Sequence, residues 1–283
     1  MRTAIVFASV LALSSSAFAG FGSSSVAIKA AVQSGSVDAI VAELEKAEEL
    51  PSQGAIAVVM PLIDHESFRV RDAAGWWLTR RGVRTQVIAN MTARLQGSDP
   101  TAARNAGDVL GSMRDFSTIQ PLAAYLSKPL DEDSGVAVAR ALGNIGHPTS
   151  VTALSSALGS QLAGVRAQAA ASLRDLRAPR GAKVAASTTA LLPLLNDADA
   201  NVRRQAATTI GFIGQSGGDA STAITALSSV ATGDPAAVVR KAAAWALGQL
   251  KDGSARGALQ QAMTNDTDPL VRSIANAALA NLR

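Results

Sequence analysis

The chain repeats one pattern of hydrophobic and small residues, and the spacing within that pattern is helical. In the segment that starts at Val202, the first, fifth, sixth and ninth residues are apolar or small. They form one stripe along a helix, because 3.6 residues make a turn. Versions of the pattern start at Val70, Ala102, Ser134, Val165, Val202, Val239 and Val271. Their spacings are 32, 32, 31, 37, 37 and 32 residues, and so near-constant a period predicts a solenoid of seven repeats.

Each repeat is predicted to contain two helices, of which the second carries the pattern above. The earlier helix has its own apolar residues, such as Leu191, Leu194 and Leu195. Asp-Pro pairs between the helices predict where the second helix begins, since Asp caps free N–H groups and Pro is tolerated in the first turn. These pairs are Asp99-Pro100, Asp234-Pro235 and Asp268-Pro269. The two longer spacings predict turns between repeats at residues 178–181 and 214–218.

Residues 20–50 lack the repeated pattern but still show helical spacing. Val37, Ile40, Val41 and Leu44 lie at positions i, i+3, i+4 and i+7 of one helix. We predict that residues 20–50 form a divergent pair of capping helices, because a terminal unit has one face that meets water. Residues 51–283 are then predicted to form the solenoid.

The consensus of the repeats resembles a known family. Read across the units, it is Asp-Pro-x-Val-Arg-x-x-Ala-Ala-x-x-Leu-Gly, which is similar to the short HEAT repeats also found in phycobilisome lyase subunits. The resemblance covers roughly residues 50 to 283. It implies an all-α fold, a right-handed α-α superhelix of the HEAT or armadillo type, with about seven two-helix repeats. It does not imply lyase activity, because a shared fold does not carry a shared function.

The first nineteen residues have the features of a cleavable signal peptide. Arg2 provides a positive start, residues 4–13 are apolar apart from Ser9, and Ala17-Phe18-Ala19 matches a small-x-small cleavage site. A run of about ten apolar residues is too short to cross a hydrocarbon core of about 30 Å. We therefore expect cleavage after Ala19 and an exported protein, periplasmic or secreted, whose mature form has no membrane span.

Composition narrows the possible chemistry. Hydrophobic residues make up 48% of the chain but aromatic residues only 4%, which favours helices packed closely on Ala, Leu and Val. The chain has no Cys, so cysteine nucleophiles, thiolate metal sites and redox motifs are excluded. Its net charge of +4 is mild and comes without a long run of Lys or Arg. We therefore expect no nucleic-acid partner.

A repeated arginine follows the start of the pattern in five repeats. An Asp lies a few residues earlier in most of these units, as Asp199 and Asp234 show. We predict a structural ladder in which the arginines bond carboxylates and carbonyls of the loops between successive repeats, since a ligand for so regular a position would need the same period. The ladder residues are Arg71, Arg166, Arg203, Arg240 and Arg272.

The opposite side of the second helix is predicted to line the concave face of the superhelix. At about 100° per residue, the third, fourth, seventh and eleventh positions of the pattern lie opposite the buried stripe. Two of the three tryptophans fall there, while Trp77 is expected to be packed. Exposed Trp with nearby Arg is typical of binding hot spots. The predicted partner-binding residues are Trp76, Arg80, Arg104, Arg140, Arg204, Lys241 and Trp245, and Asp108 is also placed on this face.

The sequence provides little material for an active site. His65 stands beside Glu66 in a predicted turn, and His147 precedes Pro148 in another. Iron-binding HEAT hydroxylases resemble this fold but use several His-Glu pairs on facing helices, and only His65-Glu66 matches here. Three or four ligands are needed for a usual metal site, so we expect no metal, no cofactor and no catalytic residue.

Two functions remain open from the sequence. The first is a non-enzymatic exported scaffold that binds a protein or peptide partner on its concave face. The alternative is a HEAT-type enzyme or metal-binding protein, lyase-like or hydroxylase-like, that uses His65 and Glu66. A basic stripe for nucleic acid is a weaker third reading, because Asp108 interrupts it and an exported protein seldom meets nucleic acid.

Overall fold

The computed structural model describes residues 24–49, 53–176, 188–215 and 221–282. All regular elements within these ranges are helices, and they form an all-α superhelix. The predicted signal peptide, its cleavage site after Ala19, the boundary at residue 50, the predicted turn at 178–181 and most of the turn at 214–218 lie outside the described residues.

Sixteen α-helices follow one another in the described ranges, in eight consecutive pairs. The first pair comprises α1 (Ser25–Ser34) and α2 (Val37–Lys46). The first helices of the seven repeats are α3 (Gln53–Val59), α5 (Arg84–Arg94), α7 (Ile119–Leu126), α9 (Ser150–Ala157), α11 (Thr188–Leu191), α13 (Ile224–Gly233) and α15 (Arg256–Asn265). The second helices are α4 (Phe68–Thr79), α6 (Pro100–Met113), α8 (Glu132–Ile145), α10 (Ala163–Asp175), α12 (Ala200–Gln215), α14 (Ala237–Leu250) and α16 (Pro269–Asn281).

The helix starts follow the capping chemistry of the sequence at two of the three Asp-Pro pairs. Asp99 accepts the Thr101 N–H at 2.8 Å and caps α6, with Pro100 in the first turn. Asp268 accepts the Leu270 N–H at 2.7 Å and caps α16 in the same way. A carboxylate at this position satisfies N–H groups that have no partner within the helix.

The third Asp-Pro pair is an exception, and the prediction that Asp234 caps α14 is wrong. The residue in the capping position is Ala236, which has no side-chain oxygen to offer. Asp234 lies two residues earlier, accepts the Ala236 N–H at 2.8 Å and bonds Arg203 of the preceding repeat. The ion pair with Arg203 fixes the position of Asp234 in the loop. This pair joins two repeats, so the Asp-Pro pattern alone does not reveal it.

Two layers of helices build the superhelix, and the second helices form the tighter layer. Successive second helices approach so closely that glycine is needed at the contact. A Cβ added to Gly111 on α6 would lie 2.8 Å from Ala141 Cα on α8, and one added to Gly248 on α14 would lie 2.7 Å from Ala278 Cβ on α16. The Leu-Gly that ends the repeated pattern therefore marks the closest approach of backbones.

The first helices stand farther apart. A cleft of about 960 Å³ separates α7 from α9, lined among others by Ile119, Ala123, Thr152 and Ser156. Because the second helices are close and the first helices are spread, the stack curves toward the second helices. Their outward side therefore lines the concave face.

The core runs as one band between the two layers and consists mainly of Ala, Leu and Val. Its largest buried side chain is Trp77, whose Nε1 donates to the Ala47 carbonyl at 2.8 Å. The Arg81 guanidinium lies 4.0 Å from the Trp77 ring centroid. These contacts tie the first helix pair to the first repeat, and they agree with the prediction that Trp77 is packed. Within the described ranges, no helix is both long and apolar enough to cross a membrane.

Candidate partner-binding surface

The second helices place the predicted partner-binding residues on one surface, but in two groups rather than one stripe. Trp76, Arg80 and Arg140 line a pocket near the N-terminal end, and Arg204, Lys241 and Trp245 line another near the C-terminal end. Arg104 lines neither pocket and is half-buried, bonding Asn105 Oδ1 at 3.2 and 3.3 Å. We name the two groups the N-terminal pocket and the C-terminal pocket.

The N-terminal pocket has a volume of about 1040 Å³ and combines two aromatic rings with several charges. Arg80 lies 4.8 Å from the Trp76 ring centroid, and Arg140 lies 4.3 Å from the centroid of Phe68. These cations also have anionic partners: Arg80 pairs with Glu48 at 3.0 Å, and Arg140 with Asp108 at 2.7 Å. The charges of this pocket are therefore largely matched within the protein.

Asp72 and Glu45 are the acidic residues in the lining of the N-terminal pocket. Burial raises the pKa of the Asp72 carboxyl, and the neighbouring Asp108 carboxylate raises it further. Arg140 and Arg114 act in the opposite direction. Because burial is the largest of these influences, the pKa of the Asp72 carboxyl lies above its ordinary value.

The C-terminal pocket is smaller, about 640 Å³, and its lining is mainly apolar. Phe212 and Trp245 pack against each other with ring centroids 4.9 Å apart and an interplanar angle of 53°. Leu270 and Val238 lie at the rim and are 60% and 50% exposed. The sequence analysis missed Leu270, Val238 and Phe68, because they occupy the first turns of their helices, outside the positions taken to line the groove.

The arginines of the C-terminal repeats form inter-repeat ion pairs of one geometry. Arg166, Arg203 and Arg240 each donate Nε to a loop aspartate of the next repeat at 2.7 Å, and each donates Nη1 to two carbonyls of its own loop. Arg272 makes the same carbonyl contacts, to Asp266 and Thr267. The loop aspartates are Asp197, Asp234 and Asp266. These contacts place the C-terminal arginines where a structural ladder requires them.

Arg71 finds a different partner. Its Nε and Nη2 donate to Asp108 Oδ2 at 2.9 and 2.6 Å, while Nη1 donates to the carbonyls of His65 and Glu66. The position that holds the loop aspartate in later repeats is Gly97 here. Asp108, on α6, replaces it and is fully buried, so its predicted place on the groove surface is wrong. Asp108 is buried because it is the counter-ion of Arg71, which is itself buried.

We expect Arg240→Ala to lower the free energy of unfolding by about 1–3 kcal/mol, through loss of charge-assisted hydrogen bonds. The hydrogen bond from Arg240 holds the pKa of Asp266 below its ordinary value. That contribution is complete above the unfolded pKa of about 4 and is lost as the pH falls through the folded pKa. Urea unfolding at pH 7 and at pH 3 measures both effects, and the variant should lose less stability on acidification than the wild type. An unchanged midpoint at pH 7 would count against the ladder.

The two histidines lie in turns. His65 Nδ1 accepts the Ser67 N–H at 3.0 Å, and His147 Nδ1 lies 2.8 Å from Thr149 Oγ1. Among the described residues, no group of three or more His, Cys, Asp or Glu side chains is placed to hold a metal ion. His65 and Glu66 are therefore not joined there by the further ligands that a metal site of this kind would use.

The family assignment rests on the repeats themselves. The family of HEAT repeats matches residues 88–174 and 188–280, which together exceed half of the chain. The chain belongs to the HEAT-repeat family. No curated protein matches it in sequence.

Solved structures show the same type of fold. The karyopherin Kap121p superposes with a TM-score of 0.51 at 12% identity, over 91% of this chain but only 37% of the karyopherin. Kap121p bound to the SUMO protease Ulp1p gives a TM-score of 0.50 at 13% identity, over the same shares of the two chains. Human deoxyhypusine hydroxylase in complex with glycerol is 22% identical over 91% of this chain and 93% of its own, with a TM-score of 0.39. The two Kap121p superpositions concern the solenoid fold alone.

Proposed function

We propose that this HEAT-repeat protein is an exported, non-enzymatic scaffold that binds a protein or peptide partner on its concave face. The observation that supports this most directly is the position of Trp76 and Trp245. Both are only partly buried, and each lines a pocket on the concave side beside cationic residues. Aromatic side chains with a cation nearby and room for a partner's side chain form the usual anchors of protein interfaces.

The alternative of an enzyme or metal protein has less support. His65 and Glu66 lie in a turn, and the Arg71 guanidinium donates hydrogen bonds to the backbone carbonyls of both residues. Iron or zinc bound in stoichiometric amount to the purified protein would favour this alternative over the scaffold. Strong, salt-dependent retention on DNA would likewise favour a nucleic-acid partner.

Export is part of the proposal. Protein recovered from the periplasm or medium should begin at Gly20, which intact mass measures directly. A chain that keeps residues 1–19 in the cytoplasm would contradict it.

We expect the double variant Trp76→Ala/Trp245→Ala to weaken partner binding at least tenfold, because each substitution removes an aromatic anchor. Affinity capture with the mature protein identifies the partner, and calorimetry with that purified partner measures the loss. Phe116→Ala is the matched control, since Phe116 is an aromatic residue 62% exposed in the turn before α7, away from both pockets. Equal binding by the double variant and the control, with helical circular dichroism intact, would refute the concave site.

A further inference from the structure

We infer that the C-terminal pocket binds an acidic peptide segment in which an apolar side chain lies between carboxylates. This inference rests on the proposed function and adds the chemistry of the partner. It begins with a difference between the two pockets, which share aromatic and cationic residues but differ in how their charges are matched.

The cations of the C-terminal pocket have no anion beside them in the described part of the chain. Lys241 makes no hydrogen bond or ion pair there, and Arg204 donates only to the neutral Asn201 Oδ1, at 2.6 Å. None of the described lining residues is acidic. In the N-terminal pocket, by contrast, Arg80 and Arg140 are both paired with carboxylates. Arg114 of the N-terminal pocket has no ion pair among the described residues, but the acidic residues Glu45 and Asp72 lie in the same lining. The C-terminal pocket therefore differs in that its described lining offers cations and no carboxylate.

The apolar part of the pocket fits a side chain of a peptide. Phe212 and Trp245 pack against each other in its lining, which also contains Ile274. Leu270 and Val238 are exposed at the rim, so the pocket is open along the concave face and not a closed cavity for a lipid tail. An apolar side chain that entered here would cover aromatic surface now in contact with water.

The distance between neighbouring second helices determines how far apart the two carboxylates of the bound peptide must lie. Arg204 and Lys241 occupy the same position of the pattern in neighbouring repeats, on α12 and α14. Packed helices lie about 8–10 Å apart. An extended peptide in the polyproline II conformation advances about 3.1 Å per residue with about three residues per turn, so two carboxylates three residues apart lie about 9 Å apart on one side and match the two cations. The segment would cross the second helices, with its apolar residue between the acids.

The direct test measures the binding of a fluorescein-labelled peptide to the mature protein at about 50 mM salt. The peptide has about ten residues, and Leu and Phe lie between its two Glu residues. We expect binding that weakens with salt, because the ion pairs are partly exposed. Replacing both Glu residues of the peptide by Gln should weaken binding at least tenfold. Arg204→Gln/Lys241→Gln should weaken it to a similar extent, since each charged hydrogen bond contributes about tenfold or more.

The control variant is Lys128→Gln/Arg256→Gln, which removes the same charge from exposed positions on the first-helix side. It should bind the peptide as the wild type does. Equal affinity for the Glu and Gln peptides, or an equal loss in the control variant, would overturn the inference. Anionic lipid vesicles that displace the labelled peptide as effectively as the unlabelled peptide does would also overturn it, in favour of a lipid ligand.

The purified natural partner separates this inference from the proposed function. If Trp76→Ala/Trp245→Ala weakens partner binding while Arg204→Gln/Lys241→Gln does not, the scaffold stands and the acidic segment is wrong. If neither double variant affects partner binding, the concave site itself is wrong.

Discussion

Replacing Asp108 by Ala is expected to destabilise the protein by about 3–5 kcal/mol, the cost of leaving a buried charge without its partner. The Asp108 carboxylate is fully buried and accepts hydrogen bonds from two guanidinium groups, those of Arg71 and Arg140. Arg71 is itself only 3% exposed, so water cannot replace the lost anion. Chemical unfolding followed by circular dichroism measures the effect.

Two further variants make the origin of this loss testable. Asp133→Ala removes the same charge from an exposed position on α8 and should change stability by no more than about 0.5 kcal/mol. The double variant Arg71→Met/Asp108→Leu should be more stable than Asp108→Ala alone, because it removes the buried cation together with the anion. An Asp108→Ala protein as stable as Asp133→Ala would show that the buried network does not hold these repeats together.

Removing Asp108 should also change the N-terminal pocket. The Asp108 carboxylate is one of the groups that raise the pKa of Asp72, so its loss should lower that pKa. Titration of the Asp72 carboxyl by NMR in a mildly destabilised variant such as Asp108→Asn would record this shift.

A second large effect is expected from Gly111→Ala, with a loss of about 1–3 kcal/mol. In an unobstructed helix this change would be favourable by up to about 1 kcal/mol. Here the new Cβ would lie 2.8 Å from the Cα of Ala141, which is backbone and cannot rotate aside. Helices α6 and α8 must therefore move apart, and the concave layer should open locally.

Gly257→Ala is the matched control for this prediction. Gly257 lies in α15, and an added Cβ there would meet nothing within 4 Å. We expect this variant to be at least as stable as the wild type in thermal unfolding. Gly111→Ala behaving in the same way would mean that the second helices are not in the close contact described above.

The sequence predicts the fold well because each repeat shows the same helical pattern of apolar and small residues independently of the others. Val70, Val202, Val239 and Val271 each lie in the first turn of a helix whose buried stripe can be read locally, and all four are completely buried. Comparing the seven repeats exposes an error in helix register, since a shift in one unit would break its match with the others. The helix pairs and the curvature toward the second helices follow from this periodicity.

The candidate site is less predictable from sequence because it depends on what neighbouring repeats place against each residue. Asp108 and Lys241 both lie on the side of the second helix opposite the buried stripe, yet Asp108 is buried under Arg71 and Arg140 while Lys241 has no ion pair among the described residues. That difference depends on contacts between repeats, whose residues are more than thirty positions apart in the sequence. It follows from the absence of a loop aspartate at Gly97, which can be recognised only once the role of the aspartates in later repeats is known.

The inter-repeat ion pairs of the described residues fall into two groups. Among the described residues, Asp108 couples the first three repeats through Arg71 and Arg140, and the pairs of Arg166, Arg203 and Arg240 couple the last four. Between the third and the fourth repeat that part of the chain has no such pair, because Gly135 occupies the position of the arginine, and Glu132 instead accepts the Gly164 N–H. In a one-dimensional array, stability depends on the coupling between neighbouring repeats. The two pockets lie on opposite sides of this junction, so Arg–Asp pairs link the repeats around each pocket but do not link one pocket to the other.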